Sequence, residues 1–97
     1  MSDALDVRIQ GDSMWPTYHD GDRLICSASD TIDVGSVVVF KHPLRANLNA
    51  VKRVSKIEGD WMFVEGDNPD PTSSNDSHNF GRIARSSILG VVVDKEV

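Results

Sequence analysis

Ser36-Val37-Val38-Val39-Phe40-Lys41 is the stretch on which the fold of this chain turns. Val37 to Phe40 is apolar at every position, so neither face of an extended run is left polar. Such a run, built of β-branched and aromatic residues between Gly35 and Pro43, reads as a strand buried on both sides. Its place is the centre of a sheet. The segments outward from it are also short, rich in β-branched residues and separated by turn residues. Residues 49–58 read as a long strand, Gly59-Asp60 as a hairpin turn, and residues 61–65 as the returning strand. Residues 6–10 and 23–27 read as strands on the N-terminal side, with His19-Asp20-Gly21-Asp22 as a turn before the second. Residues 80–84 and 89–94 read as closing strands around one helical turn at Arg85-Ser86-Ser87-Ile88. Residues 42–48 read as a loop restricted by Pro43, and residues 66–79 as a long polar loop. Long ordered loops in small domains often carry function.

The chain has 97 residues, 39% hydrophobic and 26% charged, with a net charge of −5. That length allows one domain, residues 1–97, with a modest core. The acidic balance argues against a nucleic-acid partner, which would demand a basic patch. Cys26 is the single cysteine, so no intrachain disulfide forms, and its apolar surroundings read as core. No apolar run approaches the ~20 residues that span a bilayer, and the mixed, acidic N-terminus is no signal peptide. These features describe an unanchored, soluble, cytoplasmic protein whose oligomeric state stays open. No cofactor or metal is called for. The histidines lack zinc-ligand spacing, and Asp67-Asn68-Pro69-Asp70 lacks the glycine and terminal glutamate of a calcium loop.

Chemistry concentrates in Gly11-Asp12-Ser13-Met14-Trp15-Pro16-Thr17. Gly11 permits a tight turn after a strand, and Pro16 stiffens the chain on either side of it. Ser13 is thereby displayed on a rigid corner, as a nucleophile must be, although a Gly-Asp-Ser turn is by itself commonly just a turn. A serine hydroxyl needs a base within reach. His78 beside Asp76 is one candidate base, completing a triad. Lys52 is the other. Within Ala50-Val51-Lys52-Arg53-Val54, a period of two puts Lys52 on the face of Ala50 and Val54 and Arg53 on the opposite face. Burial there lowers a lysine pKa and frees the amine to accept a proton. The alternative is a lysine that snorkels to water.

Four segments in order resemble the sequence boxes of type I signal peptidases. They are Gly11 to Thr17, Asp20-Gly21-Asp22-Arg23-Leu24-Ile25, Val51-Lys52-Arg53-Val54, and Gly66-Asp67-Asn68 with Ser74-Asn75-Asp76-Ser77 and Phe80-Gly81. The small size and Lys41-His42-Pro43-Leu44-Arg45 are similar to the soluble branch of nickel-type superoxide dismutase maturation proteases. The resemblance implies an all-β, compact, partly open barrel-like domain of the signal peptidase or self-cleaving repressor type, with at most one short helical turn. It implies a serine endopeptidase with a Ser13/Lys52 dyad that removes an N-terminal extension from a precursor protein, the nickel superoxide dismutase proenzyme. Ser13 is then the nucleophile and one backbone oxyanion donor, Lys52 the base, Ser74 the residue holding the Lys52 amine, and Asp76 a brace behind them. Met14 and Trp15 are candidates for the apolar wall that meets substrate. Three departures stand out. Gly11 occupies the position of a second oxyanion serine, His78 replaces the arginine of Asp-Ser-Arg, and a longer loop makes Ser73 a rival of Ser74.

Two other readings remain. A self-cleaving repressor or mutagenesis-type protease shares the dyad, but it carries a scissile Ala-Gly or Cys-Gly bond, and neither dipeptide occurs here. A non-catalytic β-domain would bind peptides by strand addition alone.

Overall fold

The computed structural model describes residues 4–28, 31–70, 72 and 75–96. Its strands are β1 (Ala4–Arg8), β2 (Arg23–Ser27), β3 (Val37–His42), β4 (Arg45–Glu58), β5 (Trp61–Glu65), β6 (Ile83–Ala84) and β7 (Ile88–Glu96). A helical turn, α1 (Ser77–Phe80), precedes β6, and a 3₁₀ turn (Arg85–Ser87) follows it. The strands form one sheet in the order β1-β2-β7-β3-β4-β5-β6, with antiparallel pairings throughout.

The apolar run at Val37 to Phe40 takes the central place its composition demands, between β4 and β7. Its side chains divide between two cores. Val37 and Val39 pack with Ile9, Met14, Leu24, Cys26 and Val51. Val38 and Phe40 pack with Val54, Met62, Val64, Ile83 and Val91. Fully burying a side chain such as Phe40 contributes about 1.5–3 kcal/mol, so this strand anchors both halves. Cys26 has no exposed surface, and burial with the nearby Asp6 charge pushes its thiol up to about 11. It is an inert core residue, as its apolar run implies.

The barrel-like expectation is corrected. Among the described residues β1 pairs only with β2 and β6 only with β5, so the sheet has two edges and does not close. The physical reason lies in β4. Its first half, residues 45–52, pairs with β3 alone, and its second half, from Arg53 on, pairs with β5. A gap is left between residues 45–52 and the outer side of β1, and none of the described strands fills it.

Two local differences matter for the site. Residues 42–48 are not a loop: β3 turns into β4 through Pro43-Leu44, with His42 opposite Arg45. Three residues then bulge out before Lys41 meets Asn49. The long polar segment contains α1, where Asp76 and Asn79 form a capping box and each binds the other's backbone. Val64 N–H donates to Ser77 Oγ at 2.8 Å and docks this turn on β5.

Candidate active site

The sheet and one segment after β1 build the site. Beyond β1, Ile9 still exchanges backbone bonds with the chain around Asp22: its N–H reaches Asp22 O at 2.8 Å, and its O accepts Gly21 N–H at 2.8 Å. Gly11 then turns the chain at φ 83°, where a side chain would be strained. Its N–H donates to Asp20 Oδ1 at 2.7 Å. The next residues coil back on themselves, with Trp15 N–H on Asp12 O and Tyr18 N–H on Met14 O. Met14 is fully buried and plugs this coil into the first core. Ser13 is thus held by the residue after it.

A second set of contacts clamps the same segment from the far side. Asn68 N–H donates to Ser13 O at 3.0 Å, and its side-chain amide donates to Asp12 O at 2.8 Å. Thr17 donates to Asp67 Oδ2 at 2.7 Å. Asp67 also accepts two bonds from the Arg53 guanidinium, at 2.9 and 2.8 Å. The Arg53 bond holds the Asp67 carboxyl below the usual carboxylate range against the opposing effect of burial. The serine segment, the polar loop and β4 are therefore tied together at one carboxylate.

Lys52 lies on the face of β4 opposite Arg53, in register with Val38 and beside the second core. It is 6% exposed, and its Nζ is 2.9 Å from Ser13 Oγ. Burial pushes its pKa below the ordinary lysine value, and the Asp76 charge only partly offsets that. While charged, the ammonium donates to the hydroxyl. Once it loses a proton, the same contact can reverse, with Oγ–H donating to the amine lone pair.

Asp76 is 6% exposed. Burial raises its pKa, but N–H groups of Gly66 and His78 and the His78 ring outweigh that and leave it lowered. His78 sits at the surface with Nδ1 2.9 Å from Asp76 Oδ1 and Nε2 3.5 Å from Glu65 Oε1. Its ring is turned to these carboxylates and to Phe63. Among the described residues, the hydrogen bond to the serine hydroxyl comes from Lys52 and not from His78. Ser74, expected to hold the Lys52 amine, and its rival Ser73 lie outside the described residues.

A cavity of about 640 Å³ opens at Ser13 and Lys52, in the gap between β1 and β4. Val7, Ile9, Leu48, Ala50 and Val51 supply its apolar lining. Met14 and Trp15 do not line it. Met14 is core, and Trp15 is 43% exposed elsewhere. The adjoining Trp15–Pro16 peptide is cis. Gly11, whose side-chain donor is missing, has its own amide committed to Asp20. Among the described residues no group of three or more His, Cys, Asp or Glu side chains could hold a metal ion, and no helix is long and apolar enough to cross a membrane.

The profile of the family described as Peptidase S24-like matches residues 2–93. The chain belongs to this family. The family is one of serine proteases of the Ser/Lys-dyad kind. The chain is also similar to mitochondrial inner membrane protease subunit 1 of Xenopus tropicalis, at 30% identity over 108 residues. That match covers 87% of this chain and 64% of the relative, so the chain spans a little under two thirds of that protein.

The Arg53–Asp67–Thr17 junction and the Asn68 clamp were not singled out from the sequence. Their signal was present in two places. Arg53 lies on the face opposite Lys52, and Asp67-Asn68 falls in the segment resembling the last peptidase box. Nothing in the sequence pairs the two.

Proposed function

We propose that Ser13 is the nucleophile and Lys52 the general base of an endopeptidase that acts on an extended segment of polypeptide. The observation that carries this is the 2.9 Å contact between a buried amine and the hydroxyl. Neutral Lys52 takes the Ser13 proton as Oγ attacks the scissile carbonyl carbon. The resulting oxyanion is met by the Ser13 N–H, a donor already rigid before reaction. The Lys52 ammonium then gives its proton to the leaving amine, and an acyl-enzyme remains. Water, deprotonated by the same amine, releases the acyl group. Asp76 braces the lysine environment from behind.

The substrate enters the gap between β1 and residues 45–52 of β4. Each of these strands pairs on one side only among the described residues, so each offers a row of backbone groups to an added strand. The substrate read from the sequence resemblance is the nickel superoxide dismutase precursor, whose shortened chain would present a new amine for metal binding. A curated relative described as a protease subunit is in keeping with action on another protein. The family match favours a second reading more directly, that of a self-cleaving domain.

One experiment separates them. The purified chain is incubated alone and with the precursor, and products are read by mass spectrometry. Processing yields one new N-terminus on the precursor and leaves the enzyme whole. Self-cleavage yields fragments of the enzyme. Both products must vanish in Ser13→Ala. A precursor left intact beside an intact enzyme overturns both substrate readings, and cleavage that persists in Ser13→Ala overturns the dyad.

A further inference from the structure

His42 plays no part in the dyad, yet it lines the same cavity. The side chain ends β3 and is 7% exposed. The Leu44 N–H donates to its Nδ1 at 3.1 Å across the two-residue turn. A neutral ring whose Nδ1 accepts must carry its proton on Nε2. The ring is fixed further by edge contact with Phe80, at 5.0 Å between centroids. Burial, and then the Arg45 and Lys52 charges, lower its pKa and keep it neutral. No bond from Nε2 to any described residue exists. No buried side-chain nitrogen or oxygen among the described residues lacks a partner. Nε2 is therefore not sealed in, on a ring that lines the cavity.

The charge around this donor runs against that of the protein. The chain carries −5 overall. The cavity is lined by Arg8, Arg45 and Lys52 against the single carboxylate of Asp6. Arg45 stands directly opposite His42 and forms no ion pair with any described residue. An unpaired guanidinium beside a fixed neutral N–H is an arrangement that receives an anionic oxygen.

The distance to the reaction centre can be read from the register. Lys52 lies opposite Val38 and Arg45 opposite His42, so four residues of β3 separate them. At about 3.3 Å per residue this is about 13 Å, the length of about four residues of an extended peptide.

We propose that His42 and Arg45 form a subsite for an acidic side chain of the bound peptide, within about four residues of the scissile bond. The inference rests on the reading of the gap as the peptide site, but not on cleavage. An aspartate or glutamate there accepts from His42 Nε2–H and pairs with Arg45. It fixes the register in which the peptide adds to β4, which backbone pairing alone leaves free to slip.

The test measures binding, with Ser13→Ala as the host so that nothing is cut. Fluorescein-labelled alanine-rich peptides carry Asp or, in a matched set, Asn at each position in turn, and affinity is read by fluorescence polarisation. The expected result is one position at which Asp binds roughly three- to tenfold tighter than Asn. That preference is lost in the exposed variant Arg45→Gln and reduced in His42→Phe, which keeps the ring on Phe80 but removes the donor. It also shrinks with rising ionic strength. Peptides that bind without any Asp preference, or a preference that survives Arg45→Gln, overturn the subsite while leaving the gap as the peptide site. Absence of binding by every peptide overturns the subsite and the peptide site together. A failure of the protease reading alone would show as binding without cleavage by the unmutated chain.

Discussion

Lys52 and Arg53 are neighbours on β4, and the fold treats their charges in opposite ways. Arg53 points to the side of the polar loop, where Asp67 meets it with two hydrogen bonds. That pairing raises its pKa and holds it charged. Lys52 points into the gap, contacts a neutral hydroxyl, and has its pKa lowered by burial. The strand alternation that separates them by one residue therefore separates a structural cation from a reactive one. What distinguishes the two is the contact with a carboxylate. A cation held by an anion stays charged and ties elements together. A cation buried without one sheds its proton easily, which is what a base requires.

The most direct way to break the comparison is to remove the reactive member. Lys52→Ala should lower the rate of peptide cleavage by about 10²–10⁴-fold, the usual worth of a general base. Lys52→Arg should not rescue, because a guanidinium stays protonated. Ser13→Ala should match it, and the double variant should lose little more, since nucleophile and base act together. Near-normal cleavage by Lys52→Ala sinks the assignment.

The pH profile sharpens the same point. The Lys52 pKa lies below the reference value of about 10.4. Activity, which needs the neutral amine, should be low in acid and rise through that lowered value. The sign for stability is the same. Between the native pKa and about 10.4 the unfolded chain holds a proton that the native chain has lost, so stability rises with pH across that window. Lys52→Met should abolish this rise in urea titrations at stepped pH. If the rise persists in the variant, the burial of the charge is not its source.

Removing the structural member should instead act on stability first. Arg53→Ala leaves Asp67, with a side chain only 15% exposed, without its ion pair. The loss should be about 1–3 kcal/mol in denaturant titration, toward the lower end because the Arg53 side chain is 37% exposed. Asp67 has a lowered pKa, so the pair stabilises fully above about 3.9 and is lost as pH falls through the lower native value. The variant should therefore lose less stability on acidification than the parent. Equal acid sensitivity in both proteins would count against the pair.

The smallest effect belongs to His78→Ala. Asp76 keeps its bonds from the Gly66 and residue 78 backbone N–H groups, which any side chain at 78 leaves in place. Cleavage should stay within a few-fold of the parent, whereas a histidine-based triad would lose most of its rate. A large loss with unchanged melting would make His78 the base after all.

Much of this was legible in the chain itself. Periodicity and β-branching placed β3 at the centre because an all-apolar run has no face to give to water. The alternation at residues 50–54 put Lys52 and Arg53 on opposite faces for the same local reason. Strand ends were read less well. Residues 42–48 hid a tight turn and a bulge, since hairpin register depends on which residues find partners across it. Asp76 to Asn79 held a capping box, but four polar residues in a polar stretch give little periodic signal.

What the sequence determined by itself, then, is local. It set the strand succession, the central strand, the opposite faces of Lys52 and Arg53 and the turn that carries Ser13, because these arise from backbone sterics and burial over a few residues. Only the tertiary structure decided the rest. It brought Lys52 Nζ to 2.9 Å from Ser13 Oγ across 39 positions of chain. It joined Arg53 to Asp67 and Thr17, and Asn68 to the serine turn. It also left the sheet open beside β1, with two free edges among the described residues, where a partly open barrel-like domain was expected. These depend on which distant segments pack together and which strand edges remain unpaired. That is a property of the whole chain's lowest free energy, and no short segment encodes it.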